Sequence, residues 1–297
     1  MASLYTQKSS NIRKTWILFS SFLIVVIGIG WVLSQVYGDS TILVVAVIFS
    51  TVTSLISYWQ SDKIVLKMHR AQPVTMETAP ELYRIVENLA ITAGLPTPRI
   101  YIIPEAAPNA FATGRNVEHA VVAVTEGLLE KLDRSELEGV LAHEMSHIGN
   151  RDMLVSTMAV ILVGFVSLVS DMFLRSLYFG GGRRDSKGAG GVMLLIGLAV
   201  AILAPISAAL IQLAISRKRE FLADSSGALL TRYPDGLASA LEKIAVDPTP
   251  MRTANNTTAH LWLEDPYKGK KGKWLHKLFM THPPVEERVK ALRGLKV

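Results

Sequence analysis

Four long stretches without a charged side chain constrain this chain of 297 residues more than any other feature. A helix needs roughly 20 apolar residues to cross a bilayer. Two of the stretches reach that length comfortably, one is marginal and one exceeds it: Thr15–Gly38, Ser40–Ser61, Met153–Ser170 and Gly188–Ser216. The pattern excludes a soluble globule and a disordered chain, and it predicts a mainly α integral membrane protein with four apolar helices.

The first two stretches are separated only by Gly38–Asp39, so residues 1–61 are predicted to form a tail and a transmembrane hairpin. The tail carries Lys8, Arg13 and Lys14, and the connecting loop has no positive charge. By the positive-inside rule the tail and the segment after the hairpin lie in the cytoplasm. The net charge of +6 is interpreted as membrane flanks that face anionic lipid, and no nucleic-acid partner is predicted.

After the hairpin, residues 62–135 have the pattern of a soluble α/β segment. Apolar side chains at helical spacing predict a helix over Pro80–Ala93. Runs of β-branched residues predict strands at Arg99–Ile103 and His119–Val124. Between the strands, Pro108–Gly114 is predicted to be a short irregular or edge segment.

Asp133 followed by Glu136 is typical of a capping box that opens a helix. No strong helix breaker appears before Gly149, and the third apolar stretch follows directly. The sequence therefore predicts a soluble helix that runs into a membrane helix.

This helix carries the H-E-x-x-H pattern at His143–His147. Two histidines four residues apart lie on one helix face, where both imidazoles reach one Zn²⁺. Glu144, one step round the helix, is the candidate general base toward water. Because the chain contains no cysteine, any metal must be held by histidines and carboxylates. The alternative is a polar helix with two solvated histidines.

A catalytic zinc site needs a third protein ligand, and Glu220 is the candidate. Asp224, four residues later, is suited to accept a hydrogen bond from a ligating histidine. Alternatively, both carboxylates form ordinary ion pairs with Arg217 and Arg219. The spacing favours the ligand: His147 lies about 9 Å before the third stretch and Glu220 about 6 Å after the fourth, at 1.5 Å per residue. If these stretches form an antiparallel hairpin, the two motifs emerge on one face.

Four motifs in this order resemble those of HtpX-type membrane zinc metalloproteases, which are relatives of the CaaX prenyl endopeptidases. They are P-N-A-F-A-T-G, H-E-M-S-H, the S-R-K-R-E-F-L-A-D run of Ser216–Asp224, and T-H-P-P-V-E-E-R-V. The resemblance implies a gluzincin with one Zn²⁺ per chain, bound by His143, His147 and Glu220, and with Glu144 as the base. It also implies that Asn109, Ala110 and Phe111 line the strand that pairs with substrate. Finally, it implies that His282 and Arg288 stabilise the oxyanion.

The resulting domain prediction is a cytoplasmic α+β zincin-like metalloprotease domain in two parts. Residues 62–152 carry the H-E-x-x-H helix and residues 217–297 carry the third ligand, on either side of a second apolar hairpin at 153–216. The loop of that hairpin is basic, which leaves open whether the hairpin crosses the membrane fully.

The motifs together with the resemblance predict a zinc-dependent endopeptidase, and the resemblance implies that it acts in the bacterial inner membrane. Its partners would be the lipid bilayer and polypeptide substrates, namely unfolded chains and cytoplasmic segments of misfolded or damaged membrane proteins, in quality control and stress response. The alternatives are a CaaX-type prenyl-protein endopeptidase and a catalytically silent membrane scaffold.

Overall fold

The computed structural model describes residues 4–160, 217–253, 258–268 and 283–295. The third apolar stretch beyond residue 160, the whole fourth stretch and His282 lie outside the described residues. Apart from residues 153–160, the predicted second hairpin therefore lies outside the described residues.

The first two apolar stretches form a helical hairpin, as predicted. Helix α1 (Leu4–Tyr37) and helix α2 (Thr41–Met68) are joined at Gly38, whose φ of +65° is in the region that favours glycine. The helices pack closely at Gly30, where an added Cβ would lie 2.3 Å from that of Ala46. Their outer faces expose large apolar side chains, including Trp16, Ile24, Trp31, Val44 and Ile48.

Within the described residues, Ser9–Trp31 of α1 forms one helix that is long and apolar enough to cross a membrane. Helix α2 is bent by 68° between Thr41–Ile56 and Tyr58–Met68, and it makes a second span if the bent pair is counted as one. After the bend, Val65 and Leu66 of α2 belong to one hydrophobic cluster with residues of the α/β domain, among them Ile103 and Phe111.

The domain contains a sheet of four strands in the order β1-β2-β4-β3. The strands are β1 (Gln72–Val74), β2 (Arg99–Ile103), β3 (Ala110–Thr113) and β4 (Val121–Thr125). Strands β2 and β4 are parallel and the other two pairs are antiparallel. Every side chain of β4 is buried, which agrees with its place inside the sheet, and β3 forms one edge.

Seven described helices accompany the sheet: α3 (Pro80–Ala93), α4 (Glu126–Lys131), α5 (Arg134–Gly149), α6 (described over 152–160), α7 (Arg217–Thr231), α8 (Pro234–Val246) and α9 (Val285–Arg293). Helix α5 is central and packs against α3, α7, α8 and β3. Glycines let these backbones approach: a Cβ at Gly227 of α7 would lie 2.9 Å from the His143 amide nitrogen. Helices α5 and α7 are therefore in main-chain contact beside the H-E-x-x-H motif.

The predicted elements of the α/β segment agree with the observed ones, with one shift and one omission. Helix α3 and strand β2 have the predicted bounds. The second predicted strand begins later, at Val121, because the Asn116 side chain caps a 3₁₀ turn over Val117–His119. Strand β1 was not predicted from the sequence.

The prediction of one helix running from the capping box into the third apolar stretch is wrong. The Asp133–Glu136 capping box does open α5, but the helix ends at Gly149. Arg151 then takes a left-handed conformation with φ +57°, and a separate helix, α6, follows. Gly149 and Asn150 are residue types that commonly end helices, which explains the break.

Candidate metal centre

His143, His147 and Glu220 meet in one place, although Glu220 is more than 70 residues further along the chain. The two Nε2 atoms are 3.1 Å apart, and each lies 3.7 Å from a Glu220 carboxylate oxygen. A tetrahedral zinc ion with bonds of 2.0–2.1 Å holds neighbouring ligand atoms about 3.3–3.4 Å apart. Two imidazoles and a carboxylate with this spacing therefore fit one Zn²⁺.

The electrostatics of the two imidazoles differ although they face each other. Burial, which outweighs the nearby Asp224 carboxylate, lowers the pKa of His143 to about 4. Burial also disfavours the charged form of His147, but the hydrogen bond with Asp152 and the Glu220 carboxylate outweigh it and raise its pKa to about 9. At neutral pH the pair therefore shares one positive charge, which a metal ion replaces when it binds.

Asp224 of α7, the predicted supporting carboxylate, lies beside the ring nitrogen of His143 that faces away from Glu220. The Asp224 Oδ1 atom lies 2.9 Å from His143 Nδ1. Arg288 of α9 clamps the same carboxylate through Nε at 2.9 Å and Nη2 at 2.7 Å. Burial opposes ionisation of Asp224, but Arg288 and His143 outweigh it and lower its pKa to about 2. The carboxylate therefore stays charged and fixes the orientation of the His143 ring.

Arg288 should therefore contribute strongly to stability, because its side chain is fully buried against Asp224. Arg288→Met leaves an unpaired buried carboxylate, and we expect a loss of about 3–5 kcal/mol of folding free energy. Thermal melting of the detergent-solubilised protein measures it. Adding Asp224→Asn removes the stranded charge and should restore part of the loss. A melting temperature unchanged in Arg288→Met would contradict this account.

The remaining predicted catalytic residues are only partly described. Glu144 follows His143 on α5 and is 2% exposed, inside the same buried site. His282 lies outside the described residues, so only Arg288 of the predicted oxyanion pair has a described position. The general-base and oxyanion roles stay predictions.

Asn109, Ala110 and Phe111, the predicted substrate-binding residues, lie at the start of edge strand β3 and are all buried. The Asn109 side chain pairs with the main chain of Glu264, and the Ala110 carbonyl accepts a hydrogen bond from the Leu263 amide at 3.0 Å. Part of this edge is thus already paired within the chain. In an antiparallel ladder, the N–H and C=O groups of every second residue point away from the partner strand. The main-chain groups of Ala112 therefore point away from β4, as those of Ala110 do.

Sequence reasoning missed a second supporting carboxylate, Asp152 at the start of α6. Its Oδ2 atom lies 3.2 Å from His147 Nδ1. The signal available in the sequence was Gly149–Asn150, two residue types that commonly end helices. An interruption of the helix at this point allows Asp152 to turn back toward His147.

Comparisons with known proteins identify the family of this chain. The model of peptidase family M48 matches residues 76–296. A protein named Protease HtpX homolog in Syntrophobacter fumaroxidans is 49% identical over 95% of this chain and 98% of its own length. Proteins with the same name are 44% identical in Caldanaerobacter subterraneus, covering 99% of both chains, and 47% identical in Thermococcus sibiricus, covering 95% of both.

Among solved structures, the crystal structure of S. mikatae Ste24p superposes with a TM-score of 0.53 at 21% identity. The match covers 94% of this chain and 66% of the solved chain, just under two thirds of its length. At that identity the likeness establishes a common fold only. The family match over most of the chain and the full-length relatives show that the protein belongs to peptidase family M48, as an HtpX-type membrane metallopeptidase.

Proposed function

We propose that the protein is a zinc-dependent, membrane-integrated endopeptidase with one Zn²⁺ per chain, held by His143, His147 and Glu220. The observation that carries the proposal is the convergence of the side chains in a buried site: the two Nε2 atoms are 3.1 Å apart, and each lies 3.7 Å from one of the two Glu220 carboxylate oxygens. When bound, the metal supplies Lewis acidity toward water and a peptide carbonyl.

The chain's own residues supply the proton transfer and the orientation. We assign Glu144 as the general base that takes a proton from water and returns it to the leaving amine. Arg288 holds Asp224 through Nε and Nη2, while its Nη1 makes only a 3.4 Å contact with the Leu263 carbonyl. We assign Nη1, together with His282, to the oxyanion of the tetrahedral intermediate.

On the substrate side, we propose that an extended polypeptide pairs with the edge of β3, the strand that carries Asn109, Ala110 and Phe111. Because the Ala110 carbonyl is engaged by Leu263, Ala112 offers the next outward-facing main-chain groups. Main-chain pairing depends little on side-chain identity. It therefore suits an enzyme that acts on unfolded segments of varied sequence.

We further propose four membrane helices and an active site that faces the cytoplasm in the bacterial inner membrane. The apolar outer face of the α1–α2 hairpin supports insertion in the membrane, and the basic residues Lys8, Arg13 and Lys14 near the start of α1 support this orientation. In that setting the substrates would be cytoplasmic segments of misfolded or damaged membrane proteins, cleaved in quality control under stress.

Metal removal tests the catalytic part of the proposal. The purified protein should contain one zinc per chain and cleave unfolded casein. Chelation should abolish cleavage, and one equivalent of Zn²⁺ should restore it whereas Mg²⁺ should not, since Mg²⁺ prefers oxygen ligands. Metal content by mass spectrometry and casein digestion provide the readouts. Full cleavage by the metal-free protein would contradict the proposal.

Labelling of single cysteines tests the orientation, because the chain contains no native cysteine. Asn88→Cys places a thiol on an exposed position of α3, and Ser40→Cys places one at the exposed hairpin tip. In intact cells with a permeable outer membrane, an impermeant maleimide should label Ser40→Cys at once. It should label Asn88→Cys only after the inner membrane is opened. The reverse pattern would invert the proposed topology.

A further inference from the structure

We infer that the first membrane helix is part of the support of the metal centre: Asn11 of α1 holds Asp152, and Asp152 orients His147. The inference rests on the proposed function, since it concerns His147 as a metal ligand. Asn11 and Asp152 are positioning residues, because they act on the site through His147.

The first step is the contact between Asp152 and His147. Asp152 is 4% exposed, and its Oδ2 atom lies 3.2 Å from His147 Nδ1, the ring nitrogen that faces away from Glu220. A histidine that binds a metal through one ring nitrogen commonly donates the other N–H to a carboxylate, which fixes the ring and its tautomer. The corresponding nitrogen of His143, Nδ1, lies 2.9 Å from Asp224 Oδ1. Each of the two imidazoles therefore has a different carboxylate beside its Nδ1 atom.

The break after α5 makes this contact available. In an uninterrupted α-helix, a residue five positions on is rotated by about 140° and raised by about 7.5 Å, which would turn Asp152 away from His147. The left-handed conformation of Arg151, with φ +57°, redirects the chain instead. A non-glycine residue in this region carries a conformational cost that the surrounding contacts must offset.

The second step is the contact from α1. Asn11 is fully buried, and its Nδ2 atom donates to Asp152 Oδ1 at 2.5 Å and to the Asn150 carbonyl at 3.0 Å. One amide therefore holds both the carboxylate and the turn that presents it. Asn11 is 141 positions from Asp152 in the sequence, so the contact ties the membrane hairpin to the protease domain.

The same carboxylate also faces the helix that carries the third ligand. Arg219 Nη1 lies 3.6 Å from Asp152 Oδ1, and Arg219 directly precedes Glu220. The two carboxylate oxygens of Asp152 thus contact side chains of three helices: Asn11 of α1, His147 of α5 and Arg219 of α7. Among the described residues, loss of the Asn11 amide leaves Asp152 Oδ1 with the longer Arg219 contact, so the rotation of the carboxylate is less restrained.

Zinc affinity tests the inference without relying on peptide cleavage. The zinc dissociation constant is measured by competition with a chromogenic chelator, on full-length protein in detergent. Asp152→Asn, which keeps the size and removes the charge, should weaken binding about 10–100-fold. Asn11→Leu should weaken it about tenfold, at the lower end of that range, because Asn11 acts one contact further out. In the double variant the two effects should not multiply, since both act through one carboxylate.

Thr15→Val is the matched control. Thr15 is buried one turn after Asn11 on α1, and its hydroxyl donates to the Asn11 carbonyl within the same helix. The Thr15→Val variant should bind zinc with the same affinity as the parent protein. Melting of the metal-free proteins reports folding, and Asn11→Ser is measured as a second, smaller substitution that should give the same direction of change.

The outcomes separate the two claims. A parent protein that binds no zinc refutes the proposed function. A parent that binds zinc, with Asp152→Asn at parental affinity, overturns the assignment of Asp152 alone. Parental affinity in both Asn11 variants, or multiplied effects in the double variant, overturns the role of α1.

Discussion

Replacing Glu144 with glutamine is expected to abolish peptide cleavage while zinc remains bound. The substitution keeps the shape of the side chain and removes its capacity to accept a proton, so it removes the proposed base and none of the three proposed metal ligands. Loss of general-base catalysis typically costs about 10²–10⁴-fold in rate. Turnover of a quenched peptide and zinc content, measured on the same preparation, give the two readouts. The variant should also yield more intact protein, because self-digestion stops.

Glu138→Gln provides the matched control for this experiment. It makes the same chemical change on the same helix, at a partly exposed position outside the histidine and carboxylate cluster. Parental turnover in Glu138→Gln with loss in Glu144→Gln confirms the base. Cleavage near the parental rate in Glu144→Gln would refute the assignment.

Glu220→Ala is expected to lose zinc, because it removes one of the three proposed protein ligands. Asp224→Ala removes the support of His143 and the partner of Arg288 rather than a proposed ligand, and it should weaken zinc affinity about 10–100-fold. The exposed Glu287→Ala serves as the control for the loss of a carboxylate. Zinc content after dialysis and competition titrations distinguish the three. If Glu220→Ala retains parental affinity, another carboxylate completes the site.

The parts of the fold that local chemistry controls were predictable. Pro80 at the first turn and Gly94 in a left-handed cap with φ +65° mark both ends of α3. The Asp133–Glu136 capping box opens α5 as expected. Periodicity locates such elements because their stabilising contacts lie within a few residues of one another.

The candidate site was predictable only where a motif, a resemblance or the distance from an apolar stretch pointed to its members. Helical spacing brings His143 and His147 together, but nothing local places Glu220 beside them. The contact of Asn11 with Asp152 leaves no trace in the sequence, since a lone asparagine before an apolar stretch resembles any polar flank. Strand β1 was missed for a related reason: it has three residues, includes Pro73, and exists only through its pairing with β2.

The dispersed origin of the site has a consequence for the timing of activity during synthesis. Both histidines have been synthesised once α5 has left the ribosome. Glu220 and Asp224 follow only after the long apolar segment, and Arg288 is synthesised later still. On the proposed ligand assignment, a nascent chain carries two imidazoles without their third ligand until most of its length is translated. On this assignment, the nascent chain would be inactive toward neighbouring chains and toward itself until the apolar stretches that precede Glu220 have been made.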